Sequence, residues 1–162
     1  MLDFGTIIHG TLRPEDVGPA LVRTLNRELV AAGTSALDDP ERAQSIGYAY
    51  EIIEEMGQCR DWHYSLEEFW HEEGDYWCIR LLDILTELAL PYAYVGAHPG
   101  DGADIGVWPS YDTLDELVSV DDPSRLDDLP LDVTEAVEVN DHGNMTLHER
   151  TPEGWRSVWS LV

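Results

Sequence analysis

The chain contains no lysine. Its nine basic residues are all arginines, set against thirty-three aspartates and glutamates in 162 residues, for a formal net charge of −24. That imbalance argues against direct binding to nucleic acid, whose phosphates need a cationic surface, and an anionic membrane repels such a chain for the same reason. Cysteine is almost as scarce. Cys59 and Cys78 form no CxxC pair, so free thiols are expected rather than a disulfide or half of a metal site. There is no charged leader followed by an apolar stretch and no apolar run near 18 residues, so neither secretion nor a membrane span is expected, and the cytoplasm is the expected compartment. Missing too are GxSxG, GxGxxG, the phosphate-loop lysine and the EF-hand spacing, which leaves nucleophilic, nucleotide and calcium chemistry without a motif. No cofactor is implied.

What is present describes a folded protein. Hydrophobic residues make up 43% of the chain, with six Trp and seven Tyr, which is more apolar surface than a disordered acidic segment carries. The length predicts a single domain over residues 1–162.

Three physical readings compete for the charge. Closely spaced carboxylates can imitate a polyanion and occupy a basic groove on a partner. They can instead keep a surface hydrated in concentrated salt, where screening shortens to about 3 Å at 1 M. A divalent cation would use only about three to five of them. Residues 1–90 hold eighteen acids and six arginines, and residues 91–162 hold fifteen acids and three arginines, so each part carries −12 and there is no detachable acidic tail. The densest stretch runs from Asp112 to Asp132, where Asp112, Asp115, Glu116, Asp121, Asp122, Asp127, Asp128 and Asp132 face the single Arg125.

Periodicity predicts helices first and strands later. Leu2–His9 alternates weakly as a first strand. Thr11, Pro14, Glu15 and Asp16 form a helix start, with a possible restart at Gly18-Pro19, and Leu21, Val22, Leu25, Leu29 and Val30 make one apolar face up to Gly33. After a loop from Gly33 to Pro40, Ile46 to Met56 repeats the helical period, with Glu51, Glu54 and Glu55 on the other side and Gly57 as the stop. Ser65 caps a short helix carrying Phe69 and Trp70, and a third long helix is predicted over Tyr76–Leu88, ended by Pro91. Tyr92–Val95 and Ile105–Trp108 are short strands flanking a glycine-rich loop from Gly96 to Gly106, and Thr113–Val118 is a candidate helix. Thr134–Val139, Asn144–Glu149 and Trp155–Val162 alternate and are joined by turn sequences, which predicts a three-stranded antiparallel meander. The expected class is α+β: an N-terminal strand and about three helices packed on a mainly antiparallel sheet.

Two local constellations carry metal-ligating or aromatic side chains. In the glycine-rich stretch, His98, Asp101 and Asp104 are candidate cation ligands for a metal-dependent enzyme. The competing reading is a long hairpin loop whose aspartates cap backbone amides. In the second, Trp62-His63-Tyr64 and Trp70-His71-Glu72-Glu73-Gly74-Asp75, the HExxH pattern fails because position 75 is aspartate. Trp62, Phe69, Trp70 and Trp77 are expected to form a core or interface edge; an exposed aromatic rim beside acids would suit an arginine-rich partner.

Tyr92 to Ser110, taken with Asp3-Phe4-Gly5-Thr6 and with Gly10 to Asp16, resembles an uncharacterised group of small acidic proteins from phages, prophages and plasmids. That resemblance carries no activity or site residue. It implies a mobile-element setting, in which the expected role is counter-defence. The leading expectation is thus a non-enzymatic acidic protein that occupies a basic surface of a nucleic-acid-binding protein, such as a host nuclease or a CRISPR-type defence complex. Its contact residues would be Asp112, Asp115, Glu116, Asp121, Asp122, Asp127 and Asp128, joined by Glu51, Glu54 and Glu55. The alternative is an acidic domain of other role from a salt-adapted or high-GC source.

Overall fold

Proline in the first turn with acids behind it starts the first helix. In the computed structural model, which describes residues 2–32 and 39–162, α1 runs Pro14–Ala32. Thr11 Oγ1 accepts from the Arg13 amide and donates to Asp16. The helix does not restart at Gly18-Pro19. It passes straight through both residues, and Gly18 lies against the Trp70 ring so closely that an added Cβ would sit 2.1 Å from it.

Helix α2 spans Pro40–Arg60, longer at both ends than its apolar period suggests. Asp39 accepts from the Glu41 and Arg42 amides at 3.0 and 3.2 Å, a side-chain cap that supplies the start. Gly57 does not end it, since a glycine stops a helix only where the chain turns left-handed. The stop is at Asp61, whose amide bonds back to Gly57 and Cys59. The connection expected over 33–38 lies outside the described residues.

The predicted short and long helices are one, α3, Leu66–Glu87. Its start is as expected, with Ser65 Oγ accepting from the Glu68 amide at 3.1 Å and the Glu68 carboxylate accepting from the Tyr64 amide at 2.6 Å. Gly74 lies in mid-helix, where glycine costs about 1 kcal/mol. It is retained because Pro14 occupies the space a side chain would fill, 2.4 Å from an added Cβ.

Strands β1 (Gly5–His9), β2 (Ala93–His98) and β3 (Asp101–Pro109) form a sheet in the order β1-β3-β2. Most of the expected glycine-rich loop is therefore strand, and only Pro99-Gly100 turns. Glycine is a poor strand former in isolation. Here aromatic side chains cover it: Trp108 Nε1 donates to the Gly96 carbonyl at 3.0 Å and the Tyr94 hydroxyl to the Ala97 carbonyl at 2.9 Å. Gly106 also lets β1 approach, since a Cβ there would lie 2.4 Å from the Gly5 carbonyl oxygen. Leu21, Leu25, Ile52, Phe69, Leu81, Ile84 and Leu85 from the helices pack with Val95, Ile105 and Val107 from the sheet. Thr86 ties α3 to β2, accepting from the Val95 amide and donating to the Leu82 carbonyl, both at 2.9 Å.

The rest of the chain builds its own sheet. After a single helical turn, α4 (Tyr111–Leu114), come β4 (Val118–Val120), a 3-10 segment (Pro123–Asp128), β5 (Glu135–Val139), β6 (Met145–Thr151) and β7 (Gly154–Leu161). The order is β4-β5-β6-β7, with β4 parallel to β5 and the remaining pairs antiparallel. The predicted meander is β5-β6-β7. Asn140 Oδ1 closes its first turn by accepting from the His142 and Asn144 amides. The helix expected over Thr113–Val118 is instead one turn followed by strand, because Val118 and Val120 alternate and pair with β5.

The class is α+β, with two sheets in place of one. Contacts divide the chain into two compact units, one ending at Trp108 and one starting at Pro109, and the three long helices belong to the first. Among the described residues, no helix is long and apolar enough to cross a membrane.

Candidate functional site

The acids between Asp112 and Asp132 sit on short elements with little room to hide a side chain. Asp112, Asp115, Glu116, Asp121, Asp122, Asp127, Asp128 and Asp132 are all exposed, while Leu114, Val120 and Leu126 between them turn inward. That alternation places the carboxylates in solvent. Asp122 starts the 3-10 segment, its Oδ1 accepting from the Ser124 amide at 2.8 Å. Hydrogen bonds from the Ser124 hydroxyl and amide hold its carboxyl below the usual range. Arg125 meets Asp121 at 3.1 Å with both side chains mostly exposed, so this pair adds little stability.

Beside these acids lies an open groove of about 460 Å³ lined by Ser119, Val120, Leu129 and Val139 together with Asp121, Asp128 and Arg125. Apolar and acidic side chains lining one groove are the chemistry that suits a long cationic side chain, whose aliphatic stem packs on the former while its charge meets the latter.

Arg150 holds this segment in place, a role that its position in an alternating strand does not announce. Its guanidinium donates to the carbonyls of Val133, Leu129 and Pro130 at 2.9, 3.0 and 3.2 Å and stacks 4.4 Å over the Trp155 ring. Lysine cannot reproduce a planar fork that reaches three carbonyls. Arg150→Lys is expected to lower stability by about 2 kcal/mol, measured by urea unfolding, and to loosen amide exchange over 126–133. Unchanged exchange there would deny Arg150 this role.

Glu51, Glu54 and Glu55 are exposed on α2, in the first compact unit. Glu55 is already engaged by Arg80, whose guanidinium it holds protonated beyond its ordinary range together with the Tyr48 hydroxyl. Its charge is thus largely offset. Glu54 accepts from the Gln58 amide group at 3.2 Å.

His98, Asp101 and Asp104 each turn to a different neighbour. His98 Nδ1 accepts from the Gly100 amide and its ring meets the Trp108 ring edge-on at 4.6 Å. Asp101 pairs with His9 Nε2 at 3.0 Å and accepts from the Ala103 amide, which holds its carboxyl below the usual range. Asp104 accepts from the Thr6 hydroxyl. They do not gather as a ligand set. Among the described residues the group that does is Cys59, His63 and Glu73.

Phe69, Trp70 and Trp77 are buried as expected. Trp62 is not: it is 88% exposed and Tyr64 99%, in the turn between α2 and α3. Both cysteines are free thiols. Burial, and then the neighbouring Asp75, push the Cys78 thiol up to about 11, which leaves it a poor nucleophile near neutral pH. Compared with known proteins, the chain matches no family model, no curated protein and no solved structure.

Proposed function

We propose that this chain is a non-enzymatic acidic binding protein that occupies a basic surface of a partner, in the manner of a nucleic-acid mimic. The observation that carries the reading is the solvent placement of eight carboxylates between Asp112 and Asp132 with Arg125 as their one base. A 3-10 segment rises about 2 Å per residue, and duplex DNA offers one charge per about 1.7 Å of axis. Four carboxylates in the eight residues 121–128 give on average one charge per about 4 Å at that rise, near the roughly 3.4 Å spacing of phosphates along a single strand of the duplex. The groove beside them receives a partner arginine or lysine. The exposed Trp62 and Tyr64 fit the same class of partner, because aromatic faces attract guanidinium groups. The partner is a basic nucleic-acid-binding protein of the cytoplasm, a nuclease or a CRISPR-type defence complex being the expected kinds.

The test is affinity capture on the immobilised chain in about 0.1 M salt, elution with rising salt, and competition of the purified partner by duplex DNA. The expected eluate is a basic nucleic-acid-binding protein that DNA displaces. A partner indifferent to salt and to DNA would overturn the proposal. So would loss of the far-ultraviolet circular dichroism of the free chain at low salt, which is the behaviour of a salt-adapted protein.

A further inference from the structure

Cys59 is in the last turn of α2, and the chain after it continues to coil: the Trp62 amide bonds to the Cys59 carbonyl at 3.1 Å and the His63 amide to the Arg60 carbonyl at 3.0 Å. That coil returns His63 to the side of Cys59, four residues on. Glu73 reaches the same place from the second turn of α3. A Cys59 sulfur, a His63 ring nitrogen and a Glu73 carboxylate oxygen all lie within 4.8 Å of one another, and all three residues are half-buried.

We propose that Cys59, His63 and Glu73 bind a borderline-soft divalent cation of the zinc type. Thiolate, imidazole and carboxylate together are a donor set that selects Zn(II) over Mg(II) or Ca(II), which take oxygen. Small movements of three side chains bring donors at this separation onto one tetrahedral ion. The fourth position stays open to water or an external donor, as in sites with three protein ligands.

Electrostatics favour the cation in three ways. A thiolate and a carboxylate supply two negative charges against two positive ones. The carbonyl end of a 21-residue helix points its negative pole at the site. The surrounding protein carries −24 overall. Next to the ligands, the Glu72 carboxylate lies 3.6 Å from His63 Nδ1, and a carboxylate beside a ligating imidazole fixes its ring and raises its basicity. Glu72 is accordingly a positioning residue. Cys59 belongs to the last turn of α2, His63 to the turn that follows it and Glu73 to α3, so the ion ties the two helices together across the turn that displays Trp62 and Tyr64. The site stands independently of the acidic-surface reading, which uses none of Cys59, His63, Glu72 and Glu73.

A strongly acidic chain binds cations loosely everywhere, so the test must report sulfur ligation. Titration of the reduced chain with Co(II) is expected to give one equivalent of a tetrahedral visible spectrum with a thiolate-to-metal charge-transfer band, both displaced by one equivalent of Zn(II). Cys59→Ser is expected to abolish the charge-transfer band, and His63→Gln and Glu73→Gln to weaken Zn(II) binding at least tenfold by competition with a chromophoric chelator. Glu72→Gln is expected to weaken it about tenfold with the thiolate band intact. Cys78→Ser is expected to behave as the parent. Zn(II) should also raise the melting temperature of the parent and not of Cys59→Ser. No thiolate band in the parent would overturn the proposal without reference to any variant. A band that survives Cys59→Ser and disappears in Cys78→Ser would overturn it equally.

Discussion

Gly18→Ala destabilises the unit ending at Trp108 by up to about 2 kcal/mol net, whereas Gly57→Ala stabilises it by about 0.5–1 kcal/mol. Both glycines are inside long helices, and on helix propensity alone each substitution is favourable by about 1 kcal/mol. Surroundings reverse the sign at one of them. The added methyl at position 18 lands 2.1 to 2.5 Å from three carbons of the Trp70 ring, while at position 57 nothing lies within 4 Å. Trp70 has no room to retreat, being 6% exposed and packed edge-on to Phe69 at 4.9 Å between ring centres. Overpacking of this kind costs about 1–3 kcal/mol after relaxation. Urea unfolding followed by tryptophan fluorescence measures both variants. If the two shift the midpoint in the same direction, the α1–α3 contact is not as close as described.

Neutralising Asp121, Asp122, Asp127 and Asp128 together as asparagines is expected to leave folding intact and to weaken partner binding about a hundredfold. The folding half follows from local chemistry. Asparagine caps as well as aspartate does, so the Ser124 amide keeps its acceptor. The exposed Asp121–Arg125 pair contributes at most a few tenths of a kcal/mol. Four fewer charges also relieve repulsion in a chain at −24. The binding half assigns about 0.7 kcal/mol to each of four lost contacts, within the range for exposed ion pairs, and about 2.8 kcal/mol in all is close to a factor of a hundred. The dependence of affinity on salt should become shallower at the same time, because fewer charges meet in the complex. Titration calorimetry at two salt concentrations checks both. Parent-like affinity in the variant would remove this segment from the contact surface.

Element types were legible where their cause is local. Ser65 with Glu68, Pro14 with the acids after it, and Asn140 before Gly143 act within four residues of themselves, and each does in the fold what its spacing implies. Expectations failed where a glycine was taken as a helix stop or a loop, and where the short and long helices proved to be one helix through Gly74. Gly57, Gly74 and the glycines of 96–106 carry no sign in their own sequence of what lies across from them. That is Pro14 for Gly74, the Gly5 carbonyl for Gly106, and open space for Gly57. The candidate sites divide in the same way. Exposure of the Asp112–Asp132 acids follows from short elements and like charge. The dispersal of His98, Asp101 and Asp104 depends on where β1 pairs with β3, which places His9 and Thr6 beside the two aspartates.

The amino-acid order by itself determined the charge, the helix starts at Pro14 and Ser65, the alternating C-terminal strands and the α+β class, because each depends on composition or on residues within one turn or one hairpin. Only the tertiary structure decided that the strands form two sheets, that Gly18 and Gly74 are contact points, that Arg150 anchors the acidic segment, and that Glu73 meets Cys59 and His63. These pair residues that are distant along the chain, and their meeting is set by which apolar faces pack together; side-chain type and short-range spacing do not encode it.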